Sequence, residues 1–355
     1  MSLRRFLGLL CCAGVLALLP LLLTRSGVYA APPGSGYHLL KKMPVGGEGG
    51  WDYLTVDSEA RRIYLARGTH VMVVDEDKGE VVGDIPIPDT KNVHGVALAK
   101  DLGKGYTSNG LANTVTVFDI ATLKTLSTIK VTGENPDSIL YDAANKRVWT
   151  FNGKTANATA IDATSGQVVG TVVLAGKPET PVLDGKGSIF LNIEDKNSLV
   201  EIDAKAMTVK HTYPLAGCEA PSGIAMDTAH RRVFSGCSDS KKLAVTNADT
   251  GKVVAAPEIG EDTDASGFDP GTGLAFASCR EGVLSIIHED SPDKYTNVAN
   301  VKTEYGARTM AVDTKTHHVF LVTADFKPAA APTADNPHPR PQAVPGTFRI
   351  LEYGE

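Results

Sequence analysis

Short runs of alternating apolar and polar residues recur down this chain, four to a unit, with Gly, Asn and Asp between them. The second unit shows the pattern most plainly, where Gly95 to Ala99, Gly105 to Ser108, Thr114 to Phe118 and Leu126 to Val131 are the four runs. A period of two bounded by turn residues predicts strands rather than helices. A large aromatic marks the second run of every unit: Tyr64, Tyr106, Trp149, Phe190, Phe234, Phe276 and Phe320, spaced 42, 43, 41, 44, 42 and 44 residues apart. Two further marks keep the same period. An Asp closes the first run at Asp57, Asp142, Asp184, Asp227, Asp269 and Asp313, with Ala99 in its place in the second unit. The third run ends at Asp75, Asp119, Asp162, Asp203, Asn247, His288 and Glu352.

A unit that cannot bury its apolar face alone must stack on its neighbours. Four short strands repeated radially are propeller blades, so the fold class is all-β, a seven-bladed β-propeller. The last unit stops after Thr347 to Leu351, which matches a third strand, while Tyr37 to Val45 has the character of a fourth. Pairing these two segments closes the ring with an N-terminal strand that completes the last blade, removing two exposed sheet edges.

Tyr106-Thr107-Ser108-Asn109 followed by Thr114-Val115-Thr116-Val117-Phe118-Asp119 closely resembles the signature of the YVTN-type, YncE-like β-propeller repeat family. Trp149-Thr150-Phe151-Asn152 and Tyr64-Leu65-Ala66-Arg67 are looser copies, and the resemblance runs from Tyr37 to Glu352. It implies a seven-bladed propeller in an exported protein and no single activity.

The slot of Asn109 and Asn152 is held by Cys237 in the fifth unit and Cys279 in the sixth. Equivalent positions of adjacent blades diverge, which argues against a Cys237–Cys279 bond. Cys218 precedes the first strand of the unit whose second strand ends at Cys237, and antiparallel pairing brings those ends together. A Cys218–Cys237 bridge is the expectation, with free thiols as the alternative. Cys279 then reads as a small buried hydrophobe.

Composition and termini place the chain. Residues 1–30 carry Arg4 and Arg5, an apolar run from Phe6 to Leu23 and the small-residue site Val28-Tyr29-Ala30. That is the layout of a secretory signal peptide; an uncleaved anchor is the alternative. Residues 31–36 read as a linker and 37–355 as one propeller. Export implies a periplasmic or secreted protein without a membrane span once the signal is removed. The whole chain has 35 basic and 41 acidic residues. Removing Arg4, Arg5 and Arg25 leaves 32 against 41, a formal charge of −9, which gives nucleic acid binding little support.

The repeat also lines up one residue per unit at the mouth of the central channel: Asp52, His94, Asp137, Glu179, Ser222, Asp264 and Arg308. Six of the seven are ionisable, on the loop-bearing face where scaffolds carry function. Asp52, Asp137 and Glu179 with the amides of Asn109 and Asn152 are candidates to hold a divalent cation, although no cofactor is required. A wet funnel of mutually paired side chains is the bland alternative. A proline-rich insertion at about 326–345 enters on the same face, as a lid or as a loose loop, and His338 is its one candidate for metal or proton chemistry. The leading expectation is a binding scaffold for a small ligand or protein at the channel mouth. The alternative is a metal-dependent hydrolase of the lactonase kind, with Asp52, Asp137, Glu179 and Asp264 as ligands and His94 as base. Haem-based electron transfer lacks a C-x-x-C-H motif.

Overall fold

A computed structural model describes residues 35–87, 92–329, 331, 333 and 339–355; the signal-like segment and His338 lie outside them. The described residues form seven four-stranded antiparallel sheets; in six the strands follow sequence order, and in the seventh the N-terminal strand takes the outer place. Blade 1 consists of Leu54–Asp57, Arg62–Ala66, His70–Asp75 and Glu80–Pro86. In blade 7, Met310–Asp313, His318–Thr323 and Arg349–Gly354 are completed by His38–Pro44. That outer strand pairs from His38 opposite Gly354 to Pro44 opposite Arg349. The third strand begins at Arg349 rather than at Thr347, because Thr347 is held in a turn. Its hydroxyl accepts the Asp325 N–H at 2.9 Å and donates to the Val344 carbonyl at 2.8 Å.

The sequence marks are turn and packing chemistry. Each Asp that ends a first strand bends the chain into the second by accepting backbone N–H groups two to four residues on. Asp57 takes those of Glu59 and Ala60, Asp142 those of Ala144 and Asn145, and Asp184 those of Lys186 and Ser188. The third-strand marks do the same at the other hairpin, where Asp162 accepts from Thr164 and Ser165 and Asp203 from Lys205 and Ala206. The seven aromatics are all buried. Trp149 shares one apolar cluster with Ile189, Leu191 and Val200 of the next blade, so each sheet is covered by its neighbours.

Cys218 and Cys237 form the expected disulfide, with Cα atoms 5.1 Å apart. Cys279 is buried, and burial pushes its thiol up to about 12. Among the described residues no helix is long and apolar enough to cross a membrane.

Candidate functional site at the channel mouth

In blades 2 to 6 the mouth residue is the second residue of the first strand: His94, Asp137, Glu179, Ser222 and Asp264. In each of these blades the register between first and second strands breaks beside that residue, as between Val93 and Val96 or Pro136 and Ile139. An extra residue in one strand bends it and re-aims a side chain, here toward the channel axis. Asp52 and Arg308 lie just ahead of the shorter first strands of blades 1 and 7.

The structure brings these residues together. The His94 Nδ1 lies 2.6 Å from Asp52 Oδ2 and 3.5 Å from Asp137 Oδ1. Arg308 pairs with Asp264 and stands 3.9 Å from Asp52, and the Ser222 hydroxyl donates to Asp264 at 3.2 Å. Lys177, one residue ahead of its strand, lies 2.8 Å from Glu179 and also pairs with Glu194. Tyr53 stands where other blades carry small residues, such as Ser138 and Thr180, and it separates the polar mouth from a narrower channel behind it. Gly95 is closely packed: a Cβ there would press on Ile139 Cγ2 at 3.1 Å and just touch the Tyr53 ring at 3.6 Å.

The site shifts several pKa values. Burial draws the His94 imidazole down, but the Asp52 hydrogen bond and the charges of Asp137 and Asp52 outweigh it and leave it raised. Burial raises Asp137, with Asp52 adding to the effect against His94. Glu179 is pushed up to about 7 by burial and by Asp137, Lys177 opposing. Burial and the carboxylates of Asp137, Glu179 and Asp52 hold the Tyr53 phenol well above its ordinary value. Glu179, pushed up to about 7, can hold or release a proton near neutral pH, and the Asp52, His94 and Asp137 ligand atoms, all within 4.8 Å of one another, can hold a divalent cation.

Asn109 and Asn152 are not brought to the mouth. Both are fully buried, and their amides are used inside their own blades. The Asn109 Oδ1 accepts from Thr107 at 2.8 Å while its Nδ2 donates to Thr114 and Thr116 at 3.1 and 2.9 Å. Asn152 repeats this with Thr150, Asn157 and Thr159. These bonds tie the second strand to the third within each blade.

The mouth is a cavity of about 290 Å³ whose wall also includes Lys177, Arg280 and Arg340. Arg280 follows the second strand of blade 6 and pairs with Asp262. Arg340 comes from the proline-rich insertion and lines the mouth; among the described residues no carboxylate lies within ion-pair distance of it. These three cations lie just outside the strands, at positions where the repeat sets no register, so periodicity did not point to them.

No family model and no curated protein matches the chain. Among solved structures it is similar to hydrazine synthase of Kuenenia stuttgartiensis, with a TM-score of 0.67, 14% identity, and coverage of 81% of this chain and 94% of that one. The RRP9 WD40 repeats match with a TM-score of 0.72, 8% identity, and coverage of 92% and 99%. A chain of the mitotic checkpoint complex matches with a TM-score of 0.69, 13% identity, and coverage of 99% of both chains. At such identities the likeness shows the propeller fold alone.

Proposed function

We propose that this chain is an exported, YncE-like binding propeller that holds a small, polar, charged ligand at its channel mouth. One observation carries this reading: the bulged first strands and Arg340 of the insertion line a cavity of about 290 Å³ whose wall is almost entirely polar, with Asp52, Asp137, Glu179, Asp264, Arg280 and Arg308 in it. That size lies near the lower end of small-molecule sites, and a wall of that character suits a ligand rich in hydroxyl, carboxylate or phosphate groups. Acids and cations alternate around the wall: Arg280 pairs with Asp262 and Arg308 with Asp264, while Arg340 has no carboxylate within ion-pair distance among the described residues, so the anionic end of a ligand faces Arg340 and competes with Asp264 for Arg308. The YVTN-like repeats and the Cys218–Cys237 bridge support export.

The test is calorimetric titration of the full chain with small carboxylates, sugar acids and inorganic phosphate. Binding that weakens by about tenfold or more in Arg308→Ala, the loss of a charge-assisted contact, supports the reading. Binding indifferent to Arg308→Ala contradicts it.

The Asp52, His94 and Asp137 cluster favours a second reading, a metal-dependent hydrolase of the lactonase kind with His94 as ligand or base. Stoichiometric divalent metal together with lactone turnover, both lost in His94→Ala, would establish it. Absence of turnover in metal-loaded protein would remove it.

A further inference from the structure

The face opposite the channel mouth carries a second cluster, and the repeat itself makes it unusual. At each hairpin between first and second strands, one residue with positive φ offers its carbonyl to the N–H of the residue that follows the third-strand mark. The pairs are Arg61 with Glu76, Gly103 with Ile120, Lys146 with Ala163, Gly187 with Ala204, Arg231 with Ala248, and Gly273 with Glu289, at 2.9 to 3.0 Å. Equivalent residues of six blades are thereby identified by a shared hydrogen bond.

Charge at this level follows a rule. A cation of one blade reaches the acid of the blade before it: Arg61 to Asp313 at 2.8 Å, Lys100 to Asp57 at 2.9 Å, Arg231 to Asp184 at 3.2 Å and His317 to Asp269 at 2.7 Å. Between blades 3 and 4 the donor position is Gly187, but Ala204 adds no second acid, and Asn145 serves Asp142 at 2.7 Å. Where blade 7 meets blade 1, Glu76 adds a second acid, and the Arg61 guanidinium lies 2.7 Å from it as well. Two buried carboxylates thereby share one cation, which offsets half of their charge.

Between blades 5 and 6 the second acid is present and the cation is not. Glu289 occupies the position of Glu76, and Asp227 that of Asp313, while the position of Arg61 is Gly273. A Cβ built on Gly273 would have no atom within 4 Å. The side chains of Glu289 and Asp227 are 6% and 3% exposed. Among the described residues neither carboxylate oxygen of Glu289 accepts a hydrogen bond. The group facing both acids is His230, whose Nδ1 lies 2.5 Å from Asp227 Oδ2 and 3.0 Å from Glu289 Oε1. Nearby Arg232 is committed elsewhere, to Asp293 and the Pro292 carbonyl, each at 2.7 Å. The Tyr295 hydroxyl likewise donates to the Pro292 carbonyl at 3.0 Å.

We propose that Asp227, His230 and Glu289 form a binding site for a divalent transition metal that joins blades 5 and 6. The three ligand atoms lie within 4.8 Å of one another, and one imidazole with two carboxylates is a donor set that suits zinc. The ion takes the place that the Arg61 guanidinium holds at the equivalent seam. His230 is half exposed, which leaves an entry path and room for water to complete the coordination. The role is structural: the ion bridges two blades and neutralises carboxylates that burial penalises.

The test uses the full chain, stripped with chelator and titrated with zinc chloride in calorimetry and thermal melts. The His94→Ala protein is run in parallel so that zinc at the channel mouth is counted separately. Zinc binding that raises Tm, persists in His94→Ala and weakens at least about tenfold in Glu289→Gln is the expected result. Gly273→Arg restores the guanidinium at a position whose φ of 69° is close to the 54° and 56° of Arg61 and Arg231. It should raise Tm without metal and abolish this zinc component, and it decides the matter even if Glu289→Gln fails to fold. Zinc binding unchanged in Gly273→Arg, or confined to the His94 site, would overturn the proposal. So would a metal-free Glu289 that shares a proton with Asp227 and gains nothing from zinc.

Discussion

Single residues carry two kinds of information in this chain, and they differ in how openly they show it. The aromatic marks are plain because each fills one slot between sheets. Trp149 is fully buried among residues of its own and the next blade, so Trp149→Ala should cost about 3–5 kcal/mol, measured by urea unfolding. A loss below about 1 kcal/mol would mean the slot collapses freely. Glu76 shows the other kind. Burial, and then the Asp313 charge, push it from an ordinary 4.5 up to about 8 against the pull of Arg61. Between those values the folded chain holds a proton that the unfolded chain has released, so this group makes stability fall as pH rises through that window. Glu76→Gln cannot titrate, and its melting temperature should fall less between pH 5 and pH 8 than that of the wild type. Equal slopes would show that the carboxyl is not held neutral.

At the scale of strands and hairpins, the repeat was legible because its marks are the turn chemistry itself. Asp57, Asp142 and Asp184 each satisfy backbone N–H groups at a hairpin, which Asp and Asn side chains are short enough to do in so tight a turn. The same register assigned the Cys218–Cys237 bridge. Closing a loop of 19 residues, it should contribute about 3 kcal/mol in the chain-entropy model. Reduction, or Cys218→Ser with Cys237→Ser, should lower the urea midpoint accordingly with the blades retained by circular dichroism. The six ionisable mouth positions were readable for the same reason, since each lies five residues ahead of the mark that closes its first strand, an Asp in every unit but that of His94, which has Ala99. Register says where a residue stands along a strand, not where its side chain is used. The amides of Asn109 and Asn152, in register with the channel, are tied instead to Thr107, Thr116, Thr150 and Thr159. Lys177, Arg280 and Arg340 sit in loops and the insertion, beyond the reach of any period.

For the whole molecule, closure by His38–Pro44 on Arg349–Gly354 leaves a ring whose mouth interleaves carboxylates with Lys177 and three arginines. Likeness to propellers at 8% to 14% identity fixes that architecture and leaves the chemistry to these side chains. The most direct test of the mouth as a binding site is a comparison of ligand-induced Tm shifts in the wild type, Arg308→Ala and, as a control remote from the mouth, Lys210→Ala. Small carboxylates, sugar acids and phosphate are the probes. A probe that raises Tm in the wild type and in Lys210→Ala, and does so little or not at all in Arg308→Ala, is the result this account predicts. A set of probes that leaves all three unchanged, or shifts all three alike, would contradict it.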